Sequence, residues 1–459
     1  MDGRVDLHLT VNRTLPLRAQ LEGELRAGIR SGRLSAGARL PPSRVLAGEL
    51  GVSRGVIVEA YAQLIAEGYL VARPGDATRI AEGVAQPPPA DRAPLPPQPA
   101  VRYELRSGAP DLSLFPRRQW QRAMTAALRE LPDATLTYGS RRGLRELRIA
   151  LSDYLGRARG AVADPDRLFI CTSGTHAMAI LWQVLRGRGA RRVAVEDPAW
   201  PAILETARQG GLEPVQIRVD AHGLDVEALE ALDVDAVVLS PAHQFPTGVV
   251  LAPERRAALI AWARRRGALI VEDDYDAEYR YDREPIAALQ GLAPDCVAYV
   301  GTASKTLAPA IRLGWIVPPA QLVADAAAAQ VIRASPDVLT QATFARLLEG
   351  GEIDRHLRRT RRIYAARRDV LIDALAKHFP DATIAGAAAG LHLVLWLPED
   401  VDEHAIADEA ARRALAIYTL HRDFAVTAPY PPALLLGYGM IAEPAIPHAI
   451  AQLAAAAGR

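Results

Sequence analysis

The 459-residue sequence predicts a multidomain chain, a small N-terminal α+β module followed by a large α/β domain. Three observations predict it. A proline-rich stretch, "GVAQPPPADRAPLPPQPAV" over residues 83–101, can continue neither a helix nor a sheet ladder and reads as a semi-rigid spacer. Before it, residues 13–82 carry amphipathic helical patterns followed by an alternating, hairpin-like pattern. After it, over residues 102–459, apolar strands such as "RVAVED", "DAVVLS", "ALIVEDD" and "VAYVG" alternate with Ala/Leu/Arg-rich helical stretches, and no internal repeat interrupts them. That alternation argues for a mostly parallel sheet covered by helices.

Composition sets the frame. Half the residues are apolar, enough for a large core, and the net charge of +1 excludes a uniformly basic surface while allowing a local basic face. Cys171 and Cys296 lie in apolar runs and read as buried thiols. The first residues lack the basic-then-apolar pattern of a signal peptide, and no stretch is apolar enough to span a membrane. A soluble cytoplasmic protein is expected.

In the small module, Leu21, Leu25 and Ile29 recur every four residues and define a first helix over Leu17–Ser31. Two prolines then precede Ser43, which can cap a second helix with Leu46 and Leu50 facing inward. Gly51 permits a tight turn, and Ser53 can cap a third helix through Ala66 that buries Ile57, Ala60, Tyr61 and Leu64. "GYLVARPGDATRIA" alternates, turns at Pro74–Gly75–Asp76 and alternates back, as a hairpin wing would. In a winged helix-turn-helix, residues at the start of the last helix enter the DNA major groove; here those are Ser53, Arg54 and Gly55. "LPPSRVLAGELGVSRGVIVEAYAQLIAEGYL" resembles the GntR type of winged helix-turn-helix repressor. That resemblance implies DNA contacts from Arg44 and Arg54, with Arg73 and Gly75 on the wing. Gly55 and Val56 stand where the family often has a threonine pair, which alters the base-reading pattern.

The large domain is marked by its lysine. The chain has only two, Lys305 and Lys377, against 52 arginines. An unprotonated amine condenses with an aldehyde, and a guanidinium does not do so usefully, so a lysine kept in "GTASKTLAPAIRLGW" points to imine chemistry. Pyridoxal 5′-phosphate is the aldehyde cofactor most often held this way. It needs an acid for the pyridine nitrogen, a phosphate cup, a stacking ring and a donor to its phenolic oxygen. "FICTSGTHAMAI" offers Ser173, Gly174 and Thr175 at a helix start, suited to a phosphate. "VEDPAWPAI" sets Trp200 just after a strand, and "ALIVEDDYDAEYRY" ends a buried strand in carboxylates. Asp273, with its neighbour Asp274 as the alternative, suits the pyridine nitrogen, and Tyr275 the phenolic oxygen. Thr302 and Ser304 flank Lys305, and Arg312 is a fork for phosphate oxygens.

In this order the constellation resembles the class I aminotransferase-like fold (fold type I, pyridoxal phosphate) over residues 102–459. "SPAHQFPTGVVLAPERRAALIAWA", "EDDYDAEYRY" and "YVGTASKTLAPAIRLGWIVPP" are similar to the MocR family of bacterial transcription regulators, in which a GntR-type reader is fused to such a domain. The resemblance implies that Lys305 links the cofactor, Asp273 pairs the pyridine nitrogen, Tyr275 meets the phenolic oxygen and Trp200 stacks. It assigns the phosphate to Gly174, Thr175, Ser304 and Arg312. It also implies a head-to-tail homodimer in which Tyr138 reaches the partner subunit's phosphate.

Departures from the aminotransferase pattern bear on function. Phe245 replaces the asparagine before "PTG", and His243 and Gln244 before it are either ordinary loop groups or part of a cofactor or effector site. Leu435 aligns with the arginine that holds a substrate carboxylate, and Arg422 is the nearest substitute. The expected function is transcription regulation: binding of operator DNA, with sensing of pyridoxal phosphate or of an amine or amino acid that reacts with it. An active aminotransferase with a DNA tether is the alternative.

Overall fold

The computed structural model describes residues 15–73, 76–83, 101–137, 139–281, 286–330 and 336–459. The chain divides into two compact units at residues 98/99, inside the proline-rich stretch. Among the described residues no helix is long and apolar enough to cross a membrane.

The small unit is three helices and a two-stranded ribbon: α1 (Leu17–Arg30), α2 (Ser43–Leu50), α3 (Arg54–Ala66), β1 (Leu70–Val71) and β2 (Arg79–Ile80). Leu25, Leu46, Ile57, Ala60 and Leu64 are fully buried and meet in one core with Leu21, Ile29, Tyr61, Leu70 and Ile80. Gly51 ends α2 at φ +61°, a conformation that glycine adopts without a Cβ penalty. Two capping expectations need correction. Ser43 is the first residue inside α2, whose cap position falls on Pro42, and Ser53 occupies the cap position of α3 without a side-chain bond to it. β1 and β2 pair antiparallel, Leu70 opposite Ile80. The expected turn between them, at Pro74 and Gly75, lies outside the described residues.

The large unit is built on an eight-stranded sheet. In chain order its strands are β3 (Phe169–Cys171), β4 (Arg192–Asp197), β5 (Glu213–Asp220), β6 (Gly223–Leu224), β7 (Ala236–Leu239), β8 (Leu269–Asp274), β9 (Val297–Thr302) and β10 (Gly314–Val317). Across the sheet they lie in the order β3-β10-β9-β8-β7-β4-β5-β6. β4, β5, β7, β8 and β9 form a parallel block, and β10 runs antiparallel between β9 and β3. These strands are apolar on both sides because helices cover both faces. Val193, Val195, Val238, Val271 and Val300 pack with the helix Gly174–Gly187 (α4), while Ala194, Val237, Ile270 and Val297 pack with Leu259 and Trp262 of the helix Pro253–Arg266. A smaller antiparallel sheet near the C-terminus, ordered β11-β12-β14-β13, comprises β11 (Thr383–Ala385), β12 (His392–Trp396), β13 (Tyr418–Thr419) and β14 (Ala433–Gly437).

The pleat at the end of β8 separates its acids. Glu272 and Asp274 turn to the face away from α4, where Glu272 accepts the backbone N–H groups of Leu289 and Gln290, both at 2.8 Å. Asp274 accepts from Arg159 Nε and from the Tyr299 hydroxyl, each at 2.7 Å, with the Arg159 and Asp274 side chains 0% and 3% exposed. A buried ion pair loses heavily when one partner is removed, because the other charge is stranded. Arg159→Leu is therefore expected to destabilise the large unit by about 3–5 kcal/mol. Adding Asp274→Leu should recover part of that loss. Denaturant midpoints of the two variants, compared with wild type, check both statements.

Candidate functional site

A cavity of about 310 Å³ opens at the carboxyl ends of the parallel strands, where ligands of open α/β sheets bind. Its wall draws one segment after another from those ends: Ser173–Thr175 beyond β3, Glu196 on β4, Ser240 beyond β7, Asp273 on β8 and Thr302 on β9. Of the sequence-predicted site residues, Gly174, Thr175, Trp200, Asp273, Tyr275, Ser304, Lys305 and Arg312 all line it. Tyr138 lies outside the described residues.

The cavity is electrostatically tense. Lys305 Nζ donates to the Gly108 carbonyl, and burial lowers the amine's pKa, while Asp276 and Asp273 work the other way. A lowered pKa enlarges the nucleophilic, unprotonated fraction. Burial first, then Asp274 and Asp276, push Asp273 up to about 7. Asp273 and Asp274 are thus distinct in environment: Asp273 faces the cavity, whereas Asp274 is held by Arg159 and Tyr299 behind the sheet.

Around this centre the polar groups are pre-set. The first two residues of α4, Gly174 and Thr175, present the open amide end of a 14-residue helix to the cavity. The Ser173 hydroxyl, which lines the cavity, accepts the His176 N–H at 3.1 Å as the helix cap and keeps its own proton to donate. Thr302 Oγ1 donates to Ser304 Oγ at 2.9 Å. Arg312 sits at φ +54°, a left-handed conformation uncommon for a side-chain-bearing residue, after the short turn Pro309–Ile311. Such strain is concentrated at functional sites. Trp200 stands 38% exposed, with its edges against Phe245, Tyr418 and Phe424 at centroid distances of 6.0, 6.2 and 5.7 Å.

The departures are also resolved by placement. Gln244 is committed within the protein: its amide donates to Pro198 O and Phe245 O, its oxygen accepts from Thr247, and it also bonds Glu196. His243 sits one layer behind the wall, between Tyr275 and Asp276. Leu435 is fully buried among Val394, Leu420 and Phe424 and does not line the cavity. Arg422 pairs with Asp408 at 2.7 Å on the surface. Sequence reasoning missed Glu196, Gly108, Asp276 and His392 as cavity groups. Asp276 lies three residues after Asp273, in the same acidic run. Gly108 and His392 arrive from distant segments and carried no local signal.

In the small unit, Arg44, Ser53, Arg54, Gly55 and Arg73 are all exposed. Arg54 Nε lies 3.4 Å from Ser43 Oγ, so the starts of α2 and α3 are neighbours. Gly75 lies outside the described residues.

Residues 104–431 match the family model for class I and II aminotransferases, and residues 17–80 that for the bacterial regulatory proteins of the gntR family. Two curated relatives are each 32% identical. One is the pyridoxine biosynthesis transcriptional regulator of Corynebacterium glutamicum, covering 86% of this chain and 87% of its own. The other is the probable rhizopine catabolism regulatory protein MocR of Rhizobium meliloti, covering 93% and 91%. Among solved structures, an archaeal alanine:glyoxylate aminotransferase superposes with a TM-score of 0.72 at 26% identity, over 78% of this chain and 91% of that one. The chain belongs to the MocR-type regulators, in which a GntR-type DNA-binding domain is fused to a class I aminotransferase domain. Its fold and its transcriptional role are those expected from the sequence.

The raised pKa of Asp273 has a measurable consequence. Folded Asp273 keeps its proton to about pH 7, whereas an unfolded aspartate loses it near 3.8. Between those values the native state binds more protons than the unfolded state, so stability falls as pH rises and levels off above about 7. In cofactor-free protein, the thermal midpoint of Asp273→Asn should exceed that of wild type by a margin that widens from about pH 4 to 7 and then stays constant. Thermal melts across that range test it; a margin independent of pH contradicts it.

Proposed function

We propose that the large domain holds pyridoxal 5′-phosphate on Lys305 and that its loaded state sets the affinity of the small domain for operator DNA. The observation that carries this reading is the placement of Lys305, one of two lysines in the chain, in a cavity with a deep carboxylate, an aromatic wall and an anion-suited cup. The donor set fits the cofactor group by group. Asp273 would hold the pyridine nitrogen, Tyr275 the phenolic oxygen and Trp200 the ring face. Gly174, Thr175, Ser304 and Arg312 would hold the phosphate. When bound, pyridoxal phosphate supplies an aldehyde that captures amines and a ring that withdraws electrons.

This chain's own residues favour sensing over turnover. Lys305 needs only its amine to exchange with an incoming amine, whether from an amino acid or another effector. Transamination further needs the substrate carboxylate clamped, and misplacement by about an ångström can cost roughly a hundredfold in rate. Leu435 is buried behind the cavity wall and Arg422 is committed to Asp408, so neither supplies that clamp. The effector is then the cofactor itself or an amine that reacts with it. A coupling of about 1–3 kcal/mol between cavity and DNA would suffice. The relatives named for pyridoxine biosynthesis and rhizopine catabolism are regulators of this build. We infer a head-to-tail homodimer with two DNA half-sites and a cytoplasmic location.

Borohydride reduction of protein incubated with pyridoxal phosphate should fix the cofactor to the peptide carrying Lys305, and to no peptide in Lys305→Ala. Attachment at Lys377 would overturn the reading. With amino acids and a keto-acid acceptor supplied, product formation at about 1 per second or faster falls in the ordinary enzyme range and would favour the aminotransferase alternative.

On DNA, Arg54→Ala should weaken specific binding by about 1–3 kcal/mol if Arg54 reads a guanine edge. Arg44→Ala should weaken binding to every sequence and flatten the salt dependence, as loss of a phosphate contact does. Ser53, Gly55, Arg73 and Gly75 complete the proposed interface. Titrations at several salt concentrations, with selected and scrambled duplexes, separate the two effects. Equal losses on both duplexes for Arg54→Ala would remove it from base reading.

A further inference from the structure

Behind Tyr275 and Asp276, which line the cavity, His243 is buried with no role of its own so far. His243 Nδ1 stands 3.1 and 3.2 Å from the two carboxylate oxygens of Asp276 and 3.1 Å from the Tyr275 hydroxyl. The His243 and Asp276 side chains are 2% and 3% exposed. The ring is wedged in place. A Cβ on Gly390 would fall 2.1 Å from His243 Cε1, and one on Gly248 3.3 Å from Nε2, and both glycines have positive φ. Its Nε2 is buried with no hydrogen-bond partner.

This geometry selects one tautomer. An ionised carboxylate has only lone pairs to offer, so the ring nitrogen that faces it must carry the proton. A proton on Nε2 would have no acceptor. With Nδ1–H donated to Asp276, that carboxylate becomes a weaker competitor for the Tyr275 proton. Tyr275 lines the cavity and has a single proton to donate, so what competes for it decides where it points. Without the imidazole, the bare carboxylate of Asp276 would hold that proton for itself rather than leave it to a bound ligand.

We propose that His243 is a positioning residue which, with Asp276, directs the Tyr275 hydroxyl proton toward the phenolic oxygen of the pyridoxal phosphate held by Lys305. The inference rests on the reading of the cavity given above. Asp273 from β8 and Glu196 from β4 also act on this hydroxyl, and His392 from β12 and Lys305 line the same cavity. His392 Nε2 lies 2.9 Å from the Pro246 carbonyl, and burial pushes its pKa down to about 4, so it stays neutral near pH 7. A donor on the phenolic oxygen stabilises that oxygen without a proton, so loss of the donor raises the pH at which the visible band of the bound cofactor titrates.

The test uses the full chain loaded with pyridoxal phosphate and reads the pH midpoint of that band. His243→Leu should raise the midpoint by about one pH unit, the size expected for a hydrogen bond to a charged oxygen. His243→Asn, whose side-chain N–H can lie where Nδ1–H lay, should restore most of it. In a Tyr275→Phe background, His243→Leu should add nothing. If His243→Leu does not fold, Asp276→Asn gives the opposite test: removing the competing carboxylate should lower the midpoint, and only while the Tyr275 hydroxyl is present. An unchanged midpoint, or equal shifts with and without the Tyr275 hydroxyl, overturns the inference while leaving borohydride fixation at Lys305 intact. A wild-type chain with no cofactor fixed at Lys305 overturns the cavity reading and this inference with it.

Discussion

The large domain depends on the alternation of side chains at the end of a strand buried on both faces. Acids at Glu272, Asp273 and Asp274 would be intolerable there if all faced the same apolar layer. The pleat sends Glu272 to two backbone N–H groups, Asp274 to Arg159 and Tyr299, and Asp273 to the cavity. Burial raises both Glu272 and Asp273 to about 7, but of the three only Asp273 faces the cavity. A carboxylate left in need of a cation is what a pyridinium nitrogen would satisfy.

The same constraint ties the smaller sheet to the site. Asp197, at the end of β4, accepts the backbone N–H groups of Thr427 and Ala428 as well as the Thr427 hydroxyl. Ala199 and Ala425 exchange backbone hydrogen bonds beside it. Trp200 follows directly and meets Phe424 and Tyr418 from the C-terminal part. Thus Trp200, which lines the cavity, is braced from the C-terminal part, and a shift of that part would move it. That is a physical route by which occupancy of the cavity could alter the domain's surface.

Much of the fold was legible because its signals are local. Apolar runs of four to six residues bounded by turns mark strands, and the fourfold recurrence of Leu21, Leu25 and Ile29 marks a helix. Helix caps were less legible, since Ser43 and Ser53 satisfy the pattern for a cap while prolines and tertiary packing define the actual entry. Gln244 was ambiguous for a related reason: a polar loop residue looks the same whether it serves a ligand or its own backbone.

The sequence by itself determined which reactive groups the protein carries. One retained amine among arginines, carboxylates closing an apolar strand and a Ser-Gly-Thr helix start are residue types that only certain reactions require. What it could not determine was which groups meet. The pairing of Asp274 with Arg159, the reach of Lys305 to Gly108, and the packing of Gly390 on His243 each join segments far apart in the chain. Those contacts follow from pleat direction, strand order and the closeness of packing in three dimensions, and none of these is written in any local pattern of residues.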